Sequence, residues 1–436
     1  MVSSTSQQKL ALLGGAPVRP KSKAFPKWPF AGPKDAARLQ TVLESGNWGG
    51  YPFPNRFASE FQKAFAEYHG AKYAVCVTNG TSAITIALKA AGVQPGDEVI
   101  VPAYTWDGTA TAVLDAGAVP VFVDVDPDTY CLDVAKIKVG PKTRAVVPVH
   151  LAMRFTDMTA LRALARQHGL VIIEDCAHVH GGEYLGEGAG SMGDLGTFSF
   201  QSSKLMTAGE GGIILTSRED CYELVQTLVN CGRASETDVY GKRLAGGNYR
   251  MTEFQAAILI GQLEMLPELA DKRVAQAAML DAALAGMGAA VSPLPPQREI
   301  TRQPIYNYVF RFHEDGVSRD LFCAALEAEG IPCDGRFYEP VYRSDLFQPT
   351  AQEFPQIQHI NYRKDYDCPV SVRAAYHESV WLPQFELLNA PDTQDVIDAI
   401  HKVSSNVEAL RRCDASLAGI KALSRAERPR IEKKNY

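Results

Sequence analysis

The sequence predicts an α/β protein, with a large layer on a mostly parallel seven-stranded sheet followed by a smaller α+β layer. Three observations carry that reading. Between Tyr73 and Thr216, short β-branched runs alternate with helical patterns, as βαβ units do. In the first unit, Thr78-Asn79-Gly80-Thr81-Ser82 joins a strand to a helix through glycine and hydroxyl residues. Beyond the proline-rich stretch 293–296 the pattern changes, because Tyr306, Tyr308, Phe310 and Phe312 alternate as in a half-buried strand.

Taken in order, residues 1 to about 30 are polar and then proline-rich, and read as an arm across the body. A helix is expected over Asp35–Glu44, followed by the glycine-rich loop Gly46–Tyr51, which sets Trp48 and Tyr51 either in a pocket or on a surface turn. Strands are expected over 73–78, 98–101, 119–123, 145–149, 170–174, 195–200 and 212–216. Ala83, Ile84, Ala87, Leu88 and Ala91 mark one face of the first crossover helix. The polar segment 234–247 reads as a surface excursion. Thr252 and Gln255 form a capping box for a helix that Pro267 is expected to kink or interrupt, leaving Glu268–Leu284 as a separate linker helix. Ser318–Glu329 reads as a helix closed by Gly330, and Asp392–Arg412 as a closing helix. The expected units are an arm and helix (1–45), a large domain (46–266), a linker helix (267–292), a small domain (293–414) and a tail (415–436).

With 436 residues, 46% of them hydrophobic, the chain can bury a large core. A net charge of -6 points away from a nucleic-acid surface. The nine cysteines form no C-x-x-C pair, so neither a zinc cluster nor a disulfide framework is expected, and thiols of this kind fit a reducing cytoplasm. The N-terminus lacks the cationic and apolar pattern of a signal peptide, and no apolar run is long enough to span a membrane.

The chemistry-bearing candidates lie at strand ends. An apolar run delivers Lys204 into Gln201-Ser202-Ser203-Lys204, ahead of Ala208-Gly209-Glu210-Gly211-Gly212. Such a lysine either decorates a glycine turn or, held partly deprotonated, forms a Schiff base with an aldehyde, as in pyridoxal 5'-phosphate (PLP) enzymes. The helix start at Gly80 and Thr81 suits a phosphate, although Thr81 or Ser82 as an ordinary N-cap would give the same pattern. Trp106, at a carboxyl strand edge, either stacks on a planar ring or fills core space. Asp175 ends an apolar strand, where a carboxylate is costly unless paired, for instance with a protonated pyridine nitrogen. His178 and His180 alternate on one face, but no third ligand lies nearby, so no metal site is expected. His150, also at a strand end, fits a satisfied core histidine equally well.

Together, Thr-Asn-Gly-Thr-Ser at 78–82, Pro-Ala-Tyr-Thr-Trp at 102–106, Glu-Asp-Cys-Ala-His at 174–178, Phe-Ser-Phe-Gln-Ser-Ser-Lys at 198–204, Ala-Gly-Glu-Gly-Gly at 208–212 and Asn-Tyr-Arg-Met at 248–251 resemble the DegT/DnrJ/StrS aminotransferases, which are fold-type I PLP enzymes. The resemblance implies that Lys204 is the Schiff-base lysine, Asp175 the partner of the pyridine nitrogen and Trp106 the residue stacked on the ring. It sets His178 on the ring's hydroxyl side, Gly80, Thr81, Ser199 and Ser202 at the phosphate, and Asn248 at the phosphate of a neighbouring subunit, hence a homodimer with shared active sites. The motifs look most like the L-glutamine:scyllo-inosose aminotransferase and 3-amino-5-hydroxybenzoate synthase branches, which implies amino transfer from L-glutamine or L-glutamate to a cyclic ketone by ping-pong exchange. A PLP lyase or dehydratase and a catalytically idle PLP binder are the alternatives.

Two departures stand out. Leu151-Ala152-Met153-Arg154 replaces a small residue and glycine after His150, and Tyr342 stands where many sugar-nucleotide enzymes have histidine. Trp48, Tyr51, Tyr338 and Tyr342 are candidates for the acceptor pocket.

Overall fold

The computed structural model describes residues 9–50, 53–233, 244–313 and 316–412. The first eight residues, Tyr51, most of the excursion after residue 233 and the tail from residue 413 lie outside the described residues.

Two N-terminal helices, α1 (Asp35–Ser45) and α2 (Arg56–His69), precede the large sheet. Phe57, Phe61 and Phe65 follow one another at four-residue spacing on α2 and are all buried, which fixes the helix against the sheet. The sheet comprises β1 (Tyr73–Val77), β2 (Glu98–Pro102), β3 (Val119–Val123), β4 (Thr143–Val146), β5 (Val171–Asp175), β6 (Leu195–Ser199) and β7 (Gly212–Thr216). Their spatial order is β1-β7-β6-β5-β4-β2-β3. All neighbouring pairs are parallel except those of β7, which runs antiparallel to both β1 and β6. The reversal brings Gly212, the first residue of β7, to the same sheet edge as the last residues of β1 and β6, Val77 and Ser199. Crossover helices α3 (Gly80–Ala90), α4 (Asp107–Asp115) and α5 (Met158–His168) start just beyond that carboxyl edge, and α6 (Glu219–Val229) follows β7.

The capping box of Thr252 and Gln255 is present, but α7 runs unbroken from Glu253 to Ala285 through Pro267. The expected interruption, and the separate linker helix with it, is therefore corrected, and the 266/267 boundary falls inside one helix. Proline in a helix interior costs about 3 kcal/mol. Leu266, Leu269, Ala277, Leu280 and Leu284 are buried on both sides of it, and their packing outweighs that cost.

The C-terminal part carries a three-stranded antiparallel sheet of β8 (Val291–Pro293), β9 (Asn307–Phe312) and β10 (Ser379–Pro383), with β9 central. Being central, β9 is buried on both faces apart from Arg311, which corrects the half-buried reading of its aromatic alternation. Helices α8 (Arg319–Ala328), capped by Ser318, and α9 (Ala390–Ser405) complete this part. The expected closing helix ends at Ser405, and a short turn of helix over Val407–Arg411 follows it.

The N-terminal arm is pinned to α8 and α9 by buried charge. Glu329 accepts the N–H groups of Ala11 (2.8 Å) and Val18 (3.0 Å), and Lys402 Nζ donates to it at 2.8 Å, with both side chains fully buried. Arg19, also buried, pairs with Asp392 (2.8 Å) and Asp395 (2.6 Å). No helix among the described residues is long and apolar enough to cross a membrane.

Removing one partner of such a pair strands the other charge. Lys402→Met is expected to lower the unfolding free energy by about 3–5 kcal/mol, and Lys402→Met with Glu329→Gln by much less, as measured by urea unfolding.

Candidate active site

A cavity of about 1020 Å³ opens at the carboxyl edge of the large sheet. It is lined by Gly80, Thr81, Trp106, Asp175, His178, Ser199 and Lys204, so seven of the nine residues singled out from the sequence converge there. The other two stand apart from it. Ser202 is exposed and receives a hydrogen bond from Gln201 Nε2 (2.9 Å), while its neighbour Ser203 lines the cavity. Asn248 is exposed and bridges Asn230.

The start of α3 lines the cavity and has the geometry that suits an anion. Asn79 caps α3, its Oδ1 accepting the Ser82 N–H at 2.8 Å. The cap is thus neither Thr81 nor Ser82, both of which line the cavity at the positive helix end. A Cβ on Gly80 would stand 2.8 Å from that of Ser199, so only glycine lets the helix start approach β6 this closely.

A buried carboxylate, Asp175, lines the cavity as well. Thr109 Oγ1 donates to Asp175 Oδ2 (2.9 Å), and the Ala177 N–H donates to Oδ1 (3.2 Å). Burial pushes the Asp175 pKa up, against the lowering pull of these donors and of the Lys204 ammonium. A carboxylate so placed favours a cationic partner. Trp106, half exposed, also lines the cavity and lies over Gly108, where any side chain would collide with the indole at 2.7 Å.

Lys204 lines the same cavity, in a loop closed by its own N–H donating to Gln201 O (2.9 Å). Its Nζ lies 4.7 Å from the centroid of the Tyr306 ring. Tyr306 in turn packs on His178, with ring centroids 4.2 Å apart. The Ala152 N–H donates to His178 Nδ1 (3.1 Å), which leaves Nε2 as the donor to Tyr338 Oη (3.0 Å). Ala152 does so from the left-handed region, at φ 57°, the position where the sequence departs from glycine. Behind Tyr338, Phe337 stacks on Trp381 at 4.5 Å, so this wall is a continuous aromatic block.

Of the other pocket candidates, Tyr338 lines the cavity. Tyr342 is fully buried among Phe122 and Tyr366, accepting the Cys368 N–H, and Trp48 packs on Phe254; neither lines it. Sequence reasoning missed Thr109 and Tyr306. Thr109 carried a signal, being a hydroxyl one turn into the helix that follows Trp106.

The neighbouring histidines are structural. His180 Nε2–H donates to Ser199 O (2.9 Å), holding the strand end beside the start of α3. His69 donates to Phe65 O and accepts the Gly181 N–H (3.1 Å each). His150 bonds Glu174 at 3.0 Å; with Cys176 they form a compact buried trio, but the Glu174 carboxylate is already taken by the N–H groups of Gly190, Met192 and Gly193. That is the ligation of a loop, not of a metal.

Comparison with known proteins places these features in a family. The profile of the DegT/DnrJ/EryC1/StrS aminotransferase family matches residues 31–401. The chain is 44% identical over 417 residues to a Streptoalloteichus tenebrarius protein provisionally named L-glutamine:3-amino-2,3-dideoxy-scyllo-inosose aminotransferase, covering 92% of this chain and 99% of that one. It is 36% identical over 422 residues to the L-glutamine:2-deoxy-scyllo-inosose aminotransferase of Micromonospora echinospora, covering 92% and 99%. Among solved structures, that of 3-amino-5-hydroxybenzoic acid synthase superposes with a TM-score of 0.77 at 32% identity, covering 87% of this chain and 98% of that one.

Burial lowers the pKa of both His69 and His180 to about 3. Each therefore contributes stability that is complete above the unfolded value of about 6.5 and is lost as the pH falls towards 3. Between pH 7 and pH 5 the unfolding free energy is expected to drop by roughly 2 kcal/mol per histidine, and His69→Gln to remove about half of that fall in pH-dependent urea titrations.

Proposed function

The chain belongs to the DegT/DnrJ/EryC1/StrS aminotransferase family, and from that premise we propose that it holds pyridoxal 5'-phosphate at Lys204 and moves the amino group of L-glutamine onto the ketone carbon of a cyclitol. The observation that carries this reading is that one cavity gathers a lysine, the start of a helix that suits an anion and a buried carboxylate in want of a cation. Those features match the aldehyde, the phosphate and the protonated ring nitrogen of that cofactor. The names of the relatives support glutamine as donor and a cyclitol ketone as acceptor.

Bound, the cofactor supplies an aldehyde that exchanges amine partners and a ring that withdraws electrons from the carbon being deprotonated. The remaining work falls to the chain. Gly80, Thr81 and Ser199 hold the phosphate at the start of α3, with Ser203 rather than Ser202 on the cavity wall. Asp175, oriented by Thr109 and the Ala177 N–H, keeps the ring nitrogen protonated. Trp106 covers one ring face, and His178, its donor fixed on Nε2 by Ala152, serves the hydroxyl side together with Tyr338. Lys204 Nζ takes the proton from the donor's α-carbon and later returns one to the acceptor carbon, a general acid–base role that needs it within hydrogen-bond reach of both.

The exposure of Asn248, outside its own chain's cavity, supports its service at a neighbouring subunit's phosphate, and hence a homodimer. Seven of the eight described cysteines are buried and no C-x-x-C pair occurs, which supports a reducing, cytoplasmic setting.

The test is the visible absorption of the purified protein supplied with PLP. A band that L-glutamine bleaches, and that Lys204→Ala lacks, is the expected outcome; a band indifferent to L-glutamine and L-glutamate overturns the reading. Asp175→Asn is expected to retain the band and to slow amino transfer by roughly a hundredfold or more.

A further inference from the structure

Two residues of the C-terminal sheet converge on the lysine loop from one end of the β9–β10 ladder, where Asn307 pairs with Pro383. Tyr306 lies just before β9. Its hydroxyl meets Ser203 Oγ at 2.8 Å, and its ring centroid is 4.7 Å from Lys204 Nζ. Gln384 lies just after β10, and its Nε2 donates to the carbonyl oxygens of Ser203 (2.8 Å) and Lys204 (3.2 Å). Both side chains are buried, at 1% and 3% exposure. One strand end therefore grips the backbone of the lysine, and the other offers its ammonium an aromatic face.

This arrangement answers a need that the phosphate, carboxylate and indole contacts leave unmet. During amino transfer the lysine amine is bonded to the cofactor for only part of the cycle. For the rest, a side chain with four rotatable bonds must stay within reach of the reacting carbon. A competing attraction in the cavity is Asp175, whose carboxyl group feels the Lys204 charge. An ammonium drawn onto that carboxylate would occupy the place of the ring nitrogen. The Tyr306 face attracts the same charge through its quadrupole without being consumed by it.

We propose that Tyr306 and Gln384 are positioning residues for Lys204. Gln384 fixes the backbone from which the side chain springs, and the Tyr306 ring holds the ammonium between its turns at the cofactor. The proposal rests on the aminotransferase reading for its purpose, since only there is the lysine released and recaptured, but its geometry can be tested without cofactor.

In the cofactor-free protein, reductive 13C-methylation of lysines preserves their charge, and Lys204→Arg assigns the Lys204 signal. The dimethylamine resonance of Lys204 is expected upfield of the other lysines through the ring current of Tyr306. The displacement should survive in Tyr306→Phe and vanish in Tyr306→Leu, while Gln384→Leu should broaden or shift the signal. If Tyr306→Leu fails to fold, pentafluorophenylalanine at position 306 keeps the ring shape and inverts its electrostatics, so the displacement should again be lost. In the loaded protein, Tyr306→Leu is expected to slow the first half-reaction with L-glutamine about tenfold to a hundredfold, to raise the isotope effect from α-deuterated glutamine and to leave KM little changed, with Tyr306→Phe recovering most of the loss. A wild-type resonance among those of exposed lysines, or one unmoved by loss of the ring, overturns the proposal. Absence of any turnover with glutamine in the wild-type protein would instead overturn the donor assignment and leave the resonance test standing.

Discussion

Two carboxylates buried side by side at the end of β5 hold the architecture of the site together. Strand alternation sends Glu174 and Asp175 to opposite faces, and each is satisfied differently. Glu174, fully buried, accepts from the N–H groups of Gly190, Met192 and Gly193 and from His150, tying the loop before β6 to the sheet. Asp175 keeps its two donors, Thr109 and Ala177, and turns the rest of its charge towards the cavity. Were Glu174 left unsatisfied, the desolvation of a buried carboxylate would be large enough to expel it, and the register that aims Asp175 would go with it. The structural half of the pair is thus a condition of the chemical half.

Much of this was legible in the sequence because it is written locally. The strand-loop-helix at Gly80, the lone lysine after an apolar run and the acidic end of β5 each lie within a few consecutive residues, and the structure gathers Gly80, Thr81, Trp106, Asp175, His178, Ser199 and Lys204 around one cavity. Ser202 was a choice between adjacent hydroxyls, which pattern alone cannot orient. What escaped were contacts between distant segments. Thr109 reaches Asp175 across 66 residues, Tyr306 meets Ser203 across 103, and Gln384 holds Lys204 across 180. No periodicity encodes such pairs. Pro267 failed in the other direction: its local rule is sound, but buried leucines on either side of it decide the outcome.

The N-terminal arm extends the same logic of buried, fully satisfied charge. Glu329, Lys402 and Arg19 are almost completely excluded from solvent, yet each has its charge matched and its donors or acceptors engaged. Ion pairs of this sort add little net stability over an apolar equivalent, but they tolerate few alternative dockings. They specify where residues 11–24 lie on α8 and α9, with the arm's proline-rich stretch following from that anchor.

The aromatic block behind the cavity has a consequence for how this protein can change. His178, Tyr306, Phe337, Tyr338 and Trp381 touch in sequence, with centroids as close as 4.2 Å, and the first of them takes its tautomer from the backbone of Ala152. Residues in such contact do not contribute additively. A substitution at Tyr338 that admits a bulkier ring would disturb Trp381 and His178 at once, so the benefit of each change depends on which others came before it. The shape of this cavity wall is therefore an epistatic trait: what one substitution does to it depends on which of its neighbours have already changed.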